Sequence, residues 1–200
     1  MTRSLVGRSS FALALLLSAA YGPVHAQTIG AAKWCNVTVR PYYINQWMWP
    51  DYVAPIKAAA TTWGTAGAKF SYSYAGTSQS FPKSASSNDY NTVVDLDWTS
   101  SVDYPGEAPL RYTTSGCLVD ADIILDYRRH RDGVWSFSAT IPADKVDVQG
   151  VATHEFGHVL GLGHDSQSYA VMHIATYAGE NQRALTTRDK DGAKYIYGAR

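Results

Sequence analysis

The stretch His154-Glu155-Phe156-Gly157-His158-Val159-Leu160-Gly161-Leu162-Gly163-His164-Asp165 constrains this chain more than any other part of it. His154 and His158 stand four residues apart, a spacing that on an α-helix puts both on one face, one turn apart. Two imidazoles so placed can reach a single zinc ion at roughly 2.0–2.1 Å. Glu155 is their sequence neighbour but sits about 100° round the helix. It is therefore aimed at a water on the ion rather than placed as a ligand. A third histidine on the same rod would point too far along its axis, so the helix must stop. Gly161 can adopt positive φ and turn the chain, which brings His164 back beneath the ion. Three protein nitrogens leave a fourth position open for water, the arrangement of a catalytic rather than a structural zinc.

Around this stretch the periodicity predicts the supporting elements. Val146 to Leu162 carries Val148, Val151, Ala152, Phe156, Val159 and Leu160 on a broad apolar face and reads as a central helix. Tyr52 to Trp63 repeats apolar residues near 3.6 and reads as an earlier helix, with Asp51 as its cap. Thr187 to Tyr197 reads as a closing helix between Thr186 as cap and Gly198 as stop. Val37 to Ile44, Phe70 to Tyr74, Thr92 to Trp98 and Asp122 to Tyr127 read as strands. Thr77 to Asp89 reads as a Ser-rich loop, and Arg128 to Asp132 as a solvated one. Strands interleaved with helices predict an α/β fold, an α+β sandwich. With 200 residues and no repeat, one domain is expected.

The first 26 residues read as a leader rather than as fold. Arg3 and Arg8 open it, Phe11 to Ala20 is apolar, and Val24-His25-Ala26 ends it, the layout of a secretory signal peptide cut after Ala26. Ten apolar residues are too few to span a bilayer. The expected domain is 27–200, exported to the extracellular space. Without Arg3 and Arg8 the 17 acidic residues outnumber the basic ones by two. No strong positive field remains for nucleic acid or anionic membrane, and neither is expected as a partner. The two cysteines, Cys35 and Cys117, are expected to form one disulfide in an oxidising compartment. The competing role for Cys35 is a thiolate blocking the zinc.

The chain resembles the metzincin metallopeptidases, and among them the matrixins, whose members include the matrix metalloproteinases. The resemblance rests on the extended zinc motif from His154 to His164. It continues through Ser168-Tyr169-Ala170-Val171-Met172, which looks like the Met-turn of that clan, and through the ending from Leu185 to Gly198. Trp63 and Phe70 resemble the family's first helix and second strand. The resemblance implies a twisted, mostly parallel sheet with three helices and a zinc cleft on the central one. It also implies one catalytic zinc on His154, His158 and His164, Glu155 as general base, and Met172 as an apolar floor. The strand from Asp122 to Tyr127 is expected to rim the cleft and pair with substrate, and Met172 to Tyr177 to shape the pocket after the cut.

Departures from the family pattern are Asp165 where a Ser is usual and Ile174 where astacins carry a tyrosine ligand. Asp165 is expected either to orient a group behind the ligands or to cap a turn. His173 is expected in the pocket wall rather than on the metal. Upstream of the motif the expected domain holds only His130, so a second zinc is not expected. Calcium through Asp120, Asp122 and Asp126 is a further candidate that the sequence does not demand. No inhibitory prosegment is visible, so the expectation is an enzyme active on emergence, restrained if at all by a separate inhibitor.

These readings converge on a secreted, monomeric zinc metalloendopeptidase that cuts protein or peptide substrates by a zinc-activated water. The competing class is a zinc-holding binding module with lost or very narrow peptidase activity, reading a glycan through Trp34, Trp47, Trp49 and Tyr52. Intact Glu155 argues against it, because binding needs no base. A zinc amidase acting on cell-wall or small peptides would differ only in substrate.

Overall fold

Val39–Asn45 (β2) and Ser71–Ser78 (β3) pair in parallel, with Val39 opposite Ser71 and Tyr42 opposite Tyr74. A parallel pair needs a long crossover, and Pro50–Gly64 (α1) supplies it. The other edge of β2 pairs in parallel with Thr92–Asp97 (β4), which pairs in turn with Ile123–Asp126 (β8). Gly106–Glu107 (β5) closes the sheet antiparallel to β8, giving the order β3-β2-β4-β8-β5. The computed structural model describes residues 27–30, 32–79, 92–97 and 104–200. The expected 1–26 leader and most of the expected Thr77–Asp89 loop lie outside them. Thr77 and Ser78 themselves belong to β3. Among the described residues no helix is long and apolar enough to cross a membrane.

Val148–Leu160 (α3) is buried at almost every position and packs against α1. Trp63 of α1 donates its indole N–H to Thr153 O of α3 at 2.8 Å. With both helices also against the sheet, Tyr52, Ile56, Phe156, Ile123 and Leu125 merge into one core. Short elements finish the molecule. Gln27–Ile29 (β1) runs antiparallel to Leu162–Asp165 (β11), Leu110–Tyr112 (β6) to Leu118–Ala121 (β7), and Trp135–Ser136 (β9) parallel to Val146–Asp147 (β10). Thr187–Tyr197 (α4) closes the chain. Cys35 and Cys117 form the expected disulfide, 82 residues apart in sequence.

Several expected boundaries move, each for a local reason. The cap of α1 is Trp49, not Asp51, because Pro50 takes the first helical position, where its missing N–H costs nothing. Asp51 falls in the first turn, where the helix dipole favours an acid. The expected solvated loop after β8 is the single-turn helix Tyr127–Arg131 (α2). Asp126 caps it, accepting from Arg128 N–H at 2.9 Å. The central helix starts at Val148, because Asp147 caps it from β10. It ends at Leu160, and Leu162 is already strand. The expected substrate-pairing strand, β8, is enclosed between β4 and β5, so β5 is the sheet's outer strand at the cleft.

Candidate metal centre and active site

α3 carries His154 and His158 on successive turns, and Gly161 ends it in the left-handed region at φ 110°. A Cβ on Gly161 would lie 2.7 Å from Ala32 O, so both the turn and the close approach require glycine. β11 then places His164, and one ligand nitrogen from each of the three histidines lies within 4.8 Å of the other two. Ring centroids are 4.7 Å apart for His154 and His158, 4.8 Å for His158 and His164, and 5.3 Å for His154 and His164.

Two backbone carbonyls set the tautomers. His154 Nδ1–H donates to Val171 O at 2.7 Å, and His158 Nδ1–H donates to Leu162 O at 2.8 Å. A carbonyl can only accept, so each Nδ1 holds its proton and each Nε2 is left for a metal. Burial first, then the neighbouring histidine, pushes His154 down to about 3. Burial likewise pushes His158 down to about 4 and lowers His164. Neutral imidazoles are the form a cation takes, and the donor set fits zinc.

Glu155 is buried in the same cleft, and its carboxyl is pushed up to about 8, by burial first and then by the charge of Glu107. β5 passes directly over it: a Cβ on Gly106 would meet Glu155 Oε1 at 3.0 Å and Val151 Cγ1 at 2.9 Å. The cleft encloses about 630 Å³ between β5 and the segment from Ile174 to Thr176, with the three histidines and Glu155 in its lining.

Met172 is fully buried, its sulfur against Gly157 of α3 between the two helical histidines. Asp165 N–H donates to Met172 O at 2.7 Å, and the fully buried Asp189 accepts from Val171 N–H at 3.2 Å and Met172 N–H at 3.3 Å. Asp189 also caps α4 reciprocally with Thr186. Asp165 accepts two N–H groups of Arg188, at 2.8 and 3.0 Å, and Gln167 N–H at 2.8 Å. His173 turns aside, with Nδ1–H donating to Ala175 O at 2.9 Å.

The three aspartates weighed for calcium are engaged by the chain. Asp122 accepts from Val93 N–H, Asp126 pairs with Arg128 and Arg129, and Asp120 faces Arg111. None of the aromatics weighed for a glycan lines the cleft. Trp34 is buried, with its indole N–H on Val159 O, and Tyr52 is buried against His130. Gly106, Glu107, Leu110 and Arg129, none of which a sequence motif marks as part of the site, line the cleft from another part of the chain. Nor does the sequence single out Asp189, or the pairing of buried Asp147 with half-buried Arg183 through contacts of 2.7 Å. Only Asp189 left a local trace, standing three residues after the Thr186 cap.

Comparison with known proteins agrees with this geometry. A family model described as matrixin matches residues 71–198. Metalloendoproteinase 2-MMP of Arabidopsis thaliana is 44% identical over 54 residues, 27% of this chain and 14% of its own length. Metalloendoproteinase 1 of Glycine max is 34% identical over 101 residues, 48% of this chain and 32% of its own. Stromelysin-3 of Xenopus laevis is 36% identical over 80 residues, 40% of this chain and 15% of its own. The chain therefore spans about a third or less of the length of these relatives. Since the match takes in α3, the Met172 turn and α4 and covers more than half of the sequence, the chain belongs to the matrixin family.

Proposed function

We propose that this matrixin is an exported zinc metalloendopeptidase, with one zinc on His154, His158 and His164 and Glu155 as general base. The observation that carries this is the convergence of three imidazoles, two with Nδ1 already committed, in one cleft with a buried carboxyl. When bound, zinc supplies positive charge and Lewis acidity at that point.

The chain's own residues supply the rest. Glu155 takes a proton from the attacking water and returns it to the leaving amine, a transfer typically worth about 10²–10⁴-fold. Its burial holds the carboxyl high, and a dication beside it draws the carboxyl back toward a value useful near neutral pH. The outer edge of β5 pairs with an extended peptide, while Val151, Leu110 and Ile174 offer an apolar wall to the side chain after the cut. Met172 supports the two helical histidines from below. Asp165, clamped by Arg188, ties the residue after His164 to α4 and so steadies that ligand.

Residues 27–200 form the peptidase unit, acting as a monomer on protein or peptide substrates. Residues 1–26 are the export leader. The binding-module alternative has no use for a buried carboxyl beside three metal-ready imidazoles. Cleavage of a quenched, mixed-sequence peptide library by the 27–200 chain tests the reading. Cleavage is expected, with loss in phenanthroline and recovery on adding zinc. A protein that holds one zinc and cuts nothing in the library would overturn it.

A further inference from the structure

The cleft contains one carboxylate that the proposed chemistry does not use. Glu107 lies on β5, exposed, and lines the same cleft as the three histidines and Glu155. Among the described residues no cation is paired with it. The cleft's cation, Arg129, is held by Asp126 at 3.6 Å. Glu107 therefore presents a carboxylate with no ion-pair partner among the described residues, along the route proposed for a bound peptide.

Its place on the strand says which part of a peptide it meets. Gly106 directs its Cβ position down toward Val151 and Glu155, on the α3 side of the sheet. Side chains alternate along a strand, so the next residue, Glu107, faces the opposite side. A peptide added to the outer edge of β5 alternates in the same way. The side chain that drops toward Val151 shares Gly106's side, and those of its immediate neighbours share the side of Glu107. In a β-ladder, directly opposed side chains on one face interact, opposite charges favourably and like charges unfavourably.

We propose that Glu107 is a specificity-determining residue, selecting peptides that carry Lys or Arg next to the residue seated in the apolar pocket and rejecting those with Asp or Glu there. This rests on the peptidase reading above. Arg gains over Lys where its fork reaches both carboxylate oxygens. Because Glu107 is exposed, the preference weakens as salt screens the pair.

The test uses matched peptides that differ only at the positions flanking the pocket residue, with Arg, Ala or Glu there. For the zinc-loaded wild-type protein, kcat/KM for the Arg peptide is expected to exceed that for the Ala peptide about two- to five-fold, the scale of an opposite-charge cross-strand pair. The Glu peptide should fall below both. Glu107→Gln should bring the Arg-to-Ala ratio to near one, and Glu107→Lys should invert the order of Arg and Glu. The same peptides are titrated by fluorescence anisotropy onto zinc-loaded Glu155→Gln protein, and onto that protein carrying Glu107→Lys. This reads the ratio even without turnover. Ratios indifferent to Glu107 in both assays would overturn the inference while leaving the peptidase intact. Absence of cleavage with the charge preference kept in binding would instead overturn the peptidase reading alone.

Discussion

At the scale of single residues, the site is a set of groups held in the protonation state that a cation requires. Burial keeps the histidines neutral and simultaneously makes Glu155 expensive to ionise. The second effect has a sign that can be measured. In the metal-free protein Glu155 is raised from 4.5 to about 8, so the folded state binds that proton more tightly than the unfolded one. The resulting stability is complete below about 4.5 and is lost as pH rises through about 8. Metal-free Glu155→Gln, which has no proton to lose, should therefore unfold at higher temperature than metal-free wild type at pH 8.5. The gap should be about 1–3 kcal/mol, inside the ceiling of about 5 set by a shift of this size, and should shrink toward pH 5. Thermal melts in chelator decide the matter. A wild type as stable as the variant at pH 8.5 would show that the carboxyl is not held high by burial.

Among the secondary-structure elements, the position of each candidate ligand depends on where an element stops. α3 must end at Gly161 for β11 to return His164, and a Cβ there would strike Ala32 O from a backbone that only glycine tolerates well. Gly161→Ala should cost about 1–3 kcal/mol in urea unfolding, the usual range for such strain, and should weaken zinc binding by more than tenfold. Unfolding and zinc affinity both equal to wild type would contradict this account of the turn.

The same level shows what a sequence can reveal. Thr187 to Tyr197 was legible to the residue, because Thr186 at the cap and Gly198 at the stop are local signals. The five-residue helix α2 was not, since its Arg-rich composition fits a loop equally well and only Asp126 marks its start. The two-residue strand β5 is too short to show any alternation, and its position comes from pairing with β8. The outer strand of the cleft was consequently assigned to β8, one strand too far in.

Over the whole molecule, the three converging histidines were legible because they lie within eleven residues on one helix and its turn. The walls of the cleft were not. Gly106 and Glu107 reach Glu155 across nearly fifty residues of chain, and no local spacing encodes that meeting. The bonds from Asp189 to the Met172 turn and from Arg183 to Asp147 are of the same kind. They join segments 17 and 36 residues apart and hold the Met172 turn and the capping residue of α3. The α/β architecture followed from the alternation of elements, and the disulfide, though it joins residues 82 apart, from the fact that two cysteines allow only one pairing.

In the proposed reaction a zinc held by three histidines acts with Glu155, through which the proton passes. Zinc stoichiometry and peptide cleavage, measured together on wild type and Glu155→Gln, test it most directly. One zinc per chain is expected in both proteins, with a fall in kcat of at least about 10²-fold in the variant, the size of the acid–base contribution. A variant that holds its zinc and still cleaves at more than about a tenth of the wild-type rate would contradict Glu155 as the base.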